Sequence, residues 1–217
     1  VRIRGRGIRR TRGTPDAASV VSTKGGRCDA HGLVEIHVIR SIPMDFTEIA
    51  EKRQSCRSYD PARTVEKEKL DACLEAARLA PSACNAQPFT MYAVTGDKAK
   101  ELSDHKNSGM GKFVEDCSTF VVFVEDSYSA MAKTGSVLTG LDYRSIDVGI
   151  ACAYLTAEAT EQALDTCIMA YFSNKKVQEV LGTRKKVMLV VSFGYRKADD
   201  PQRPKKRKSM DEIVKKM

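Results

Sequence analysis

The sequence predicts an α+β domain over residues 44–217, preceded by a basic segment of different character. Three observations carry this. Helical and strand periodicities alternate from Met44 onward. A continuous apolar run at Phe120–Val124 has the composition of a strand covered on both faces. A long stretch of small and apolar residues from Ser145 to Leu164 fits a helix buried on most sides.

The elements follow in chain order. Asp45 or Thr47 can cap a first helix through about Cys56, with Phe46, Ile49 and Ala50 on one side. Thr64 can cap the next, with Glu66 and Glu68 favouring its first turn. Its buried stripe is Leu70, Cys73, Leu74, Ala77 and Leu79, and Pro81 stops it. Phe89–Thr95 alternates as a strand and Asp97–Asp104 suits a short helix. After the long helix, Lys175–Leu181 forms a short helix ended by Gly182, and Val187–Phe193 is the last strand.

Composition narrows the function. No run approaches eighteen apolar residues, so a transmembrane helix is not expected, and the chain reads as a soluble, cytoplasmic protein. Cys28, Cys56, Cys73, Cys84, Cys117, Cys152 and Cys167 show no CxxC spacing, so no metal site is expected and most thiols should be reduced and buried. His31, His37 and His105 form no constellation with any of them, which argues against thiol catalysis.

Of the net charge of +8, residues 1–43 carry +6, from nine basic residues against Asp16, Asp29 and Glu35. That segment alternates Arg with Gly early and shows no periodicity until about Leu33, so it is expected to be disordered. A nucleic-acid-binding tail, a transit peptide and upstream sequence from a misplaced start compete as explanations. Gly5, Gly7 and Gly13 oppose the transit helix. Val1 as first residue, and Met44 opening an amphipathic segment, favour the third. A chain begun at Met44 is accordingly expected to keep the fold and thermal midpoint of the full one; a much lower midpoint would show that the segment packs on the domain.

Two segments carry candidate chemistry. In Arg53-Gln54-Ser55-Cys56-Arg57-Ser58-Tyr59 the two arginines are four apart and share a face if the helix persists, suiting an anion. Taken alone, the pair reads rather as a solvated basic face at a helix C-terminus. Ala80-Pro81-Ser82-Ala83-Cys84-Asn85-Ala86-Gln87-Pro88-Phe89 is a polar loop with prolines near both ends, either an ordinary connection or a set of groups shaped for a heterocycle.

Together these segments resemble the nitroreductase family, which typically has R-x-S-x-R/K-x-Y/F, then a helix, then A-P-S-x-x-N-x-Q-P-W. Leu164–Phe172 and the tail Arg203-Pro204-Lys205-Lys206-Arg207-Lys208 extend the resemblance across 44–217. It implies a nitroreductase-like fold, a mostly antiparallel central sheet flanked by helices, and a homodimer with flavin mononucleotide (FMN) at its interface. The apolar long helix agrees, having more faces to bury than one domain readily covers.

By the same resemblance Arg53, Lys205 and Arg207 hold the phosphate, Gln54 and Ser55 the ribityl and phosphate side, and Arg57 the pyrimidine edge. Ser82, Ala83 and Asn85 come from the second subunit, and Met169, Ala170 and Tyr171 lie beside N5 and O4. Asp147 is a weaker candidate. Convergent Arg and Lys side chains suit a phosphate dianion, and Arg57 would stabilise charge gathered near N1 and O2. Flavin N5 is then the reactive atom, and no catalytic acid, base or nucleophile is required of the chain.

The implied activity is a ping-pong transfer of hydride from NADH or NADPH through FMN to a small acceptor such as a nitroaromatic or quinone. A non-enzymatic flavin-binding protein is the alternative, as is a nucleic-acid-binding protein acting through residues 1–43; membrane and nucleic-acid partners are otherwise not expected. Phe89, Ala163 and Ala170 depart from the family's usual Trp, Gly and Gly.

Overall fold

The computed structural model describes residues 44–217. A four-stranded antiparallel sheet of order β1-β2-β4-β3 is built from β1 (Phe89–Val94), β2 (Thr119–Glu125), β3 (Asp165–Met169) and β4 (Val187–Gly194). Helices α1 (Phe46–Lys52), α2 (Lys67–Arg78), α3 (Gly96–Ser103), α4 (His105–Ser108), α5 (Ala130–Thr139), α6 (Tyr143–Glu161), α7 (Asn174–Leu181) and α8 (Met210–Ile213) accompany it.

The expected two-sided burial of the Phe120–Val124 run is what β2 shows, and its alternation divides two cores. Phe120, Val122 and Val124 join Leu102, Val114 and Val177 on one face. Val121 and Phe123 join Leu70, Cys73, Val148 and Leu155 of α2 and α6 on the other. Successive side chains of a strand point to opposite faces, so one apolar run supplies both layers.

Several elements differ from the sequence expectation. Helix α1 is capped by Asp45, whose carboxylate accepts from the Glu48 amide, but ends at Lys52, not near Cys56. Gln202 Nε2 donates to the carbonyls of Glu51 and Lys52 at 3.3 and 3.0 Å, and Cys56 N–H pairs with the Thr166 carbonyl at 2.9 Å. The chain beyond Lys52 thus leaves the helix to meet the edge of β3, and Arg53 and Arg57 do not share a helix face.

Thr64 is not the cap of α2. Glu66 holds that position in extended conformation, its carboxylate accepting the Tyr195 hydroxyl and pairing with Lys69. Leu79, expected in the buried stripe, is 63% exposed as the C-cap. Gly182 ends α7 as expected, in left-handed conformation at φ 67°. Helix α6 is buried along one side only, through Val148, Ala151, Cys152, Leu155 and Ala159, while Ile146 and Tyr154 are 49% and 45% exposed.

Helix α6 ends in a Schellman turn: Leu164 N–H reaches the Ala159 carbonyl at 2.7 Å and Ala163 N–H the Thr160 carbonyl at 3.1 Å. Ala163, one of the three departures, sits at φ 56° in that turn, whereas Ala170 has no positive φ. Ala163→Gly is expected to stabilise the protein by about 1 kcal/mol, raising the thermal midpoint by about 2–4 °C. An unchanged or lower midpoint in a thermal melt would contradict this.

Cys56, Cys73, Cys117, Cys152 and Cys167 are buried. Burial pushes the Cys56 thiol up to about 11 and those of Cys73, Cys117 and Cys152 up to about 12. Cys28 lies outside the described residues. In a chain carrying Cys28→Ser, Cys84 alone is exposed, so a thiol-reactive disulfide reagent is expected to label one cysteine rapidly at pH 8 and the other five only on unfolding. Rapid labelling of two or more in the native state would overturn that.

Among the described residues no helix is long and apolar enough to cross a membrane, and no group of three or more His, Cys, Asp or Glu is placed to hold a metal.

Candidate functional site

The segment after α1 and the C-terminal tail, about 150 residues apart, are tied together. Gln54 is the hub: its side-chain oxygen accepts from the Arg203 amide at 3.0 Å, and its nitrogen donates to the Pro201 carbonyl at 3.4 Å. Arg203 donates to the Ser55 carbonyl at 2.9 Å and pairs with Asp200 at 2.8 Å. Lys205 Nζ donates to the Arg53 carbonyl. Gln54 thus holds the tail through both ends of its amide, and it does not line the cleft described next.

This docking brings Arg53, Lys205 and Arg207 to one cleft of about 890 Å³, walled by Phe46, Ile49, Ala153, Ala157 and Ile168. The Arg53 guanidinium is the telling group. Its Nε and Nη2 are buried and have no hydrogen-bond partner. A buried, unpaired charged donor is costly and rare. Burial, together with the positive charges of Arg207 and Arg53, holds Lys205 below the usual lysine range. Glu158 and Glu161 also line the cleft, accepting from Gln162 Nε2 at 2.7 Å and the Met44 amide at 3.1 Å; the three cations over its apolar wall fit an anionic group carrying an apolar body, as a flavin phosphate does.

The rest of the predicted stretch does not line this cleft. Ser55 forms a parallel bridge with Thr166, and Arg57 is exposed beside it. Cys56 and Tyr59 are core residues; the Tyr59 hydroxyl lies 2.9 Å from Ser192 Oγ, and a Cβ at Gly194 would come within 2.8 Å of its ring. Met169 is buried at the end of β3, while Ala170 is exposed and Tyr171 is 88% exposed.

Ser82, Ala83 and Asn85 do not line this cleft. Their loop is anchored toward the start of α6, where Asp147 Oδ1 accepts from the Ala83 amide at 2.9 Å. It is strained: Cys84 and Asn85 lie at φ 51° and Gln87 at φ 46°. Such conformations in residues other than glycine persist where surrounding contacts over-determine them, and they gather at binding sites. Within one chain the two halves of the predicted site are thus separate. Sequence reasoning did not single out Gln202 and Arg203 as the residues that dock the tail; a bond between residues about 150 apart leaves no local signal.

A second cleft of about 700 Å³ lies near Gln54, Asp165 and Tyr195. Its cations are largely committed: Lys69 to Glu66, Lys197 to Asp116, and Arg63 stacked over Tyr195 with 3.5 Å to the ring centre.

A family model described as Nitroreductase family matches residues 50–195. The chain is 24% identical to an oxygen-insensitive NADPH nitroreductase of Helicobacter acinonychis, over 75% of this chain and 92% of that protein. A nitroreductase family protein from Streptococcus pneumoniae superposes with a TM-score of 0.66 at 24% identity, covering 80% of this chain and all of the other. A protein from Exiguobacterium sibiricum, solved in complex with FMN, superposes with a TM-score of 0.67 at 21% identity over 82% of this chain. The antiparallel sheet with flanking helices is the arrangement these neighbours share.

Proposed function

The chain belongs to the nitroreductase family, and from that premise we propose that it is a cytoplasmic, homodimeric FMN-dependent oxidoreductase using NADH or NADPH. The observation that carries the reading is the buried guanidinium of Arg53, which lacks a partner beside Lys205 and Arg207. When bound, FMN supplies the redox chemistry, taking hydride from the nicotinamide and passing electrons to a nitroaromatic, quinone or similar acceptor in alternating occupancy.

The chain's own residues bind and orient. Arg53, Lys205 and Arg207 hold the phosphate through charge-assisted hydrogen bonds. Gln54 acts through the tail it holds, which carries Lys205 and Arg207 to the cleft. Ser55 borders the ribityl side, Arg57 supplies positive charge to the pyrimidine edge, and the backbone of Met169, Ala170 and Tyr171 flanks the reactive edge. Ser82, Ala83 and Asn85 complete the site from a second copy, in keeping with their distance from the cleft of their own chain. No side chain need exchange a proton, so the acceptor is chosen by shape and access.

Purified protein is expected to be yellow, with the spectrum of oxidised FMN, to bleach anaerobically on addition of NADH or NADPH, and to regain colour with menadione. A colourless protein that takes up no added FMN would overturn the reading. Bound flavin that neither nicotinamide bleaches would leave a flavin-binding protein without this activity.

A further inference from the structure

Asp147 is 2% exposed in the second turn of α6. A buried carboxylate is costly unless its oxygens are occupied. One oxygen accepts the Ala83 amide at 2.9 Å; the other is buried without a partner among the described residues. No cation pairs with it among the described residues. The contact it makes is to the one loop of the fold with three non-glycine residues at positive φ.

The loop also packs against α5, and its other side-chain hydrogen bonds are local. Ser82 Oγ accepts from the Gln87 amide at 3.0 Å, and Gln87 Nε2 donates to Asn85 at 3.0 and 3.2 Å, all within the loop itself. Asp147 alone among these partners belongs to the packed body, on the helix whose opposite side lines the phosphate cleft. A side-chain carbonyl oxygen accepts from an amide, and a helix gives it a fixed origin.

We propose that Asp147 is a positioning residue, which holds the Ser82–Gln87 loop in its strained shape so that this loop can complete the flavin site of a second copy. The proposal rests on the flavin reading above, and it places Asp147 on the loop rather than on the cofactor. The helix position sets the loop's origin; the loop sets the donors offered to the ligand.

Two substitutions break the same bond from opposite ends. Asp147→Ala removes the acceptor. Ala83→Pro removes the donor at the first residue of a 3₁₀ turn, where proline is tolerated and where the extended Ser82 before it already suits a following proline. Asp147→Asn keeps an acceptor oxygen. Amide exchange in the full-length protein without flavin, read by mass spectrometry over residues 82–88, and FMN affinity by fluorescence titration are the two readouts.

Loss of this buried hydrogen bond is expected to speed exchange in the loop and weaken FMN by about 10-fold or more in Asp147→Ala and Ala83→Pro. The sheet should be unaffected. The double variant should be no worse than either single one, and Asp147→Asn should recover most of both effects. Unchanged loop exchange in Asp147→Ala and Ala83→Pro would overturn the proposal, whatever happens to FMN. Faster exchange with unchanged FMN affinity would also overturn it, since the loop would then not serve the site. Should Asp147→Ala fail to fold, loop exchange in Ala83→Pro, read without flavin, carries the decision: unchanged exchange overturns the proposal. Wild-type protein that binds no FMN would instead defeat the flavin reading, with loop exchange still deciding whether Asp147 holds the loop.

Discussion

Arg53→Ala is expected to weaken FMN binding by about 10- to 100-fold, while leaving the flavin-free protein as stable as wild type or slightly more so. The two signs come from one fact. Nε and Nη2 of Arg53 are buried without partners, so they contribute nothing by hydrogen bonding to the flavin-free fold, and removing them relieves a desolvation cost. A phosphate dianion would satisfy them, at the usual worth of about 1.5–3 kcal/mol for a bond to a charged group. Arg207→Ala should weaken FMN by a similar factor, since Arg207 lines the same cleft. Arg53→Lys should rescue little, because one ammonium does not reproduce a fork of donors. Flavin retained after dialysis and the thermal midpoint without flavin separate the cases. Wild-type occupancy in both alanine variants would refute the phosphate assignment, and a sharp fall in the flavin-free midpoint of Arg53→Ala would show that the guanidinium is structural.

What was legible in the sequence follows how local its cause is. The Phe120–Val124 run and the Gly182 stop appear as read, because one apolar stretch or one glycine decides each. The end of α1 does not, because its final carbonyls are taken by Gln202 from about 150 residues away. Thr64 gave way to Glu66 for the same reason, since Tyr195 and Lys69 engage that carboxylate. The candidate site was legible as residue types and order. Its geometry was not: spacing suggested that Arg53 and Arg57 face one way, whereas the convergent cations are Arg53, Lys205 and Arg207. The departure at Ala163 gained a physical meaning only with its φ.

A charge placed on the open side of α6 is expected to have the other large effect. That side carries Ile146, Gly149, Ala153, Tyr154 and Ala157, apolar or small residues at helical spacing, with Ile146 and Tyr154 49% and 45% exposed and Phe46 of α1 76% exposed nearby. A helix apolar on two sides needs a second cover, and small residues let another helix approach closely. The Ser82–Asn85 loop is absent from the cleft of its own chain, so a second copy against this side would both cover the helix and bring the missing donors. Ile146→Glu, outside the cleft, would bury an unpaired carboxylate at that contact, a cost of several kcal/mol counted at both copies of a two-fold interface. The wild type is expected to scatter light as a dimer with FMN bound, and Ile146→Glu to run as a monomer at micromolar concentration with most of its flavin lost. Because the substituted position is exposed in the single chain, the monomer's own fold and far-ultraviolet circular dichroism should be preserved. A wild type that is a stable, flavin-loaded monomer would refute the shared site outright. A dimer unaffected by Ile146→Glu would place the interface elsewhere and leave the exposed stripe on α6 without a partner.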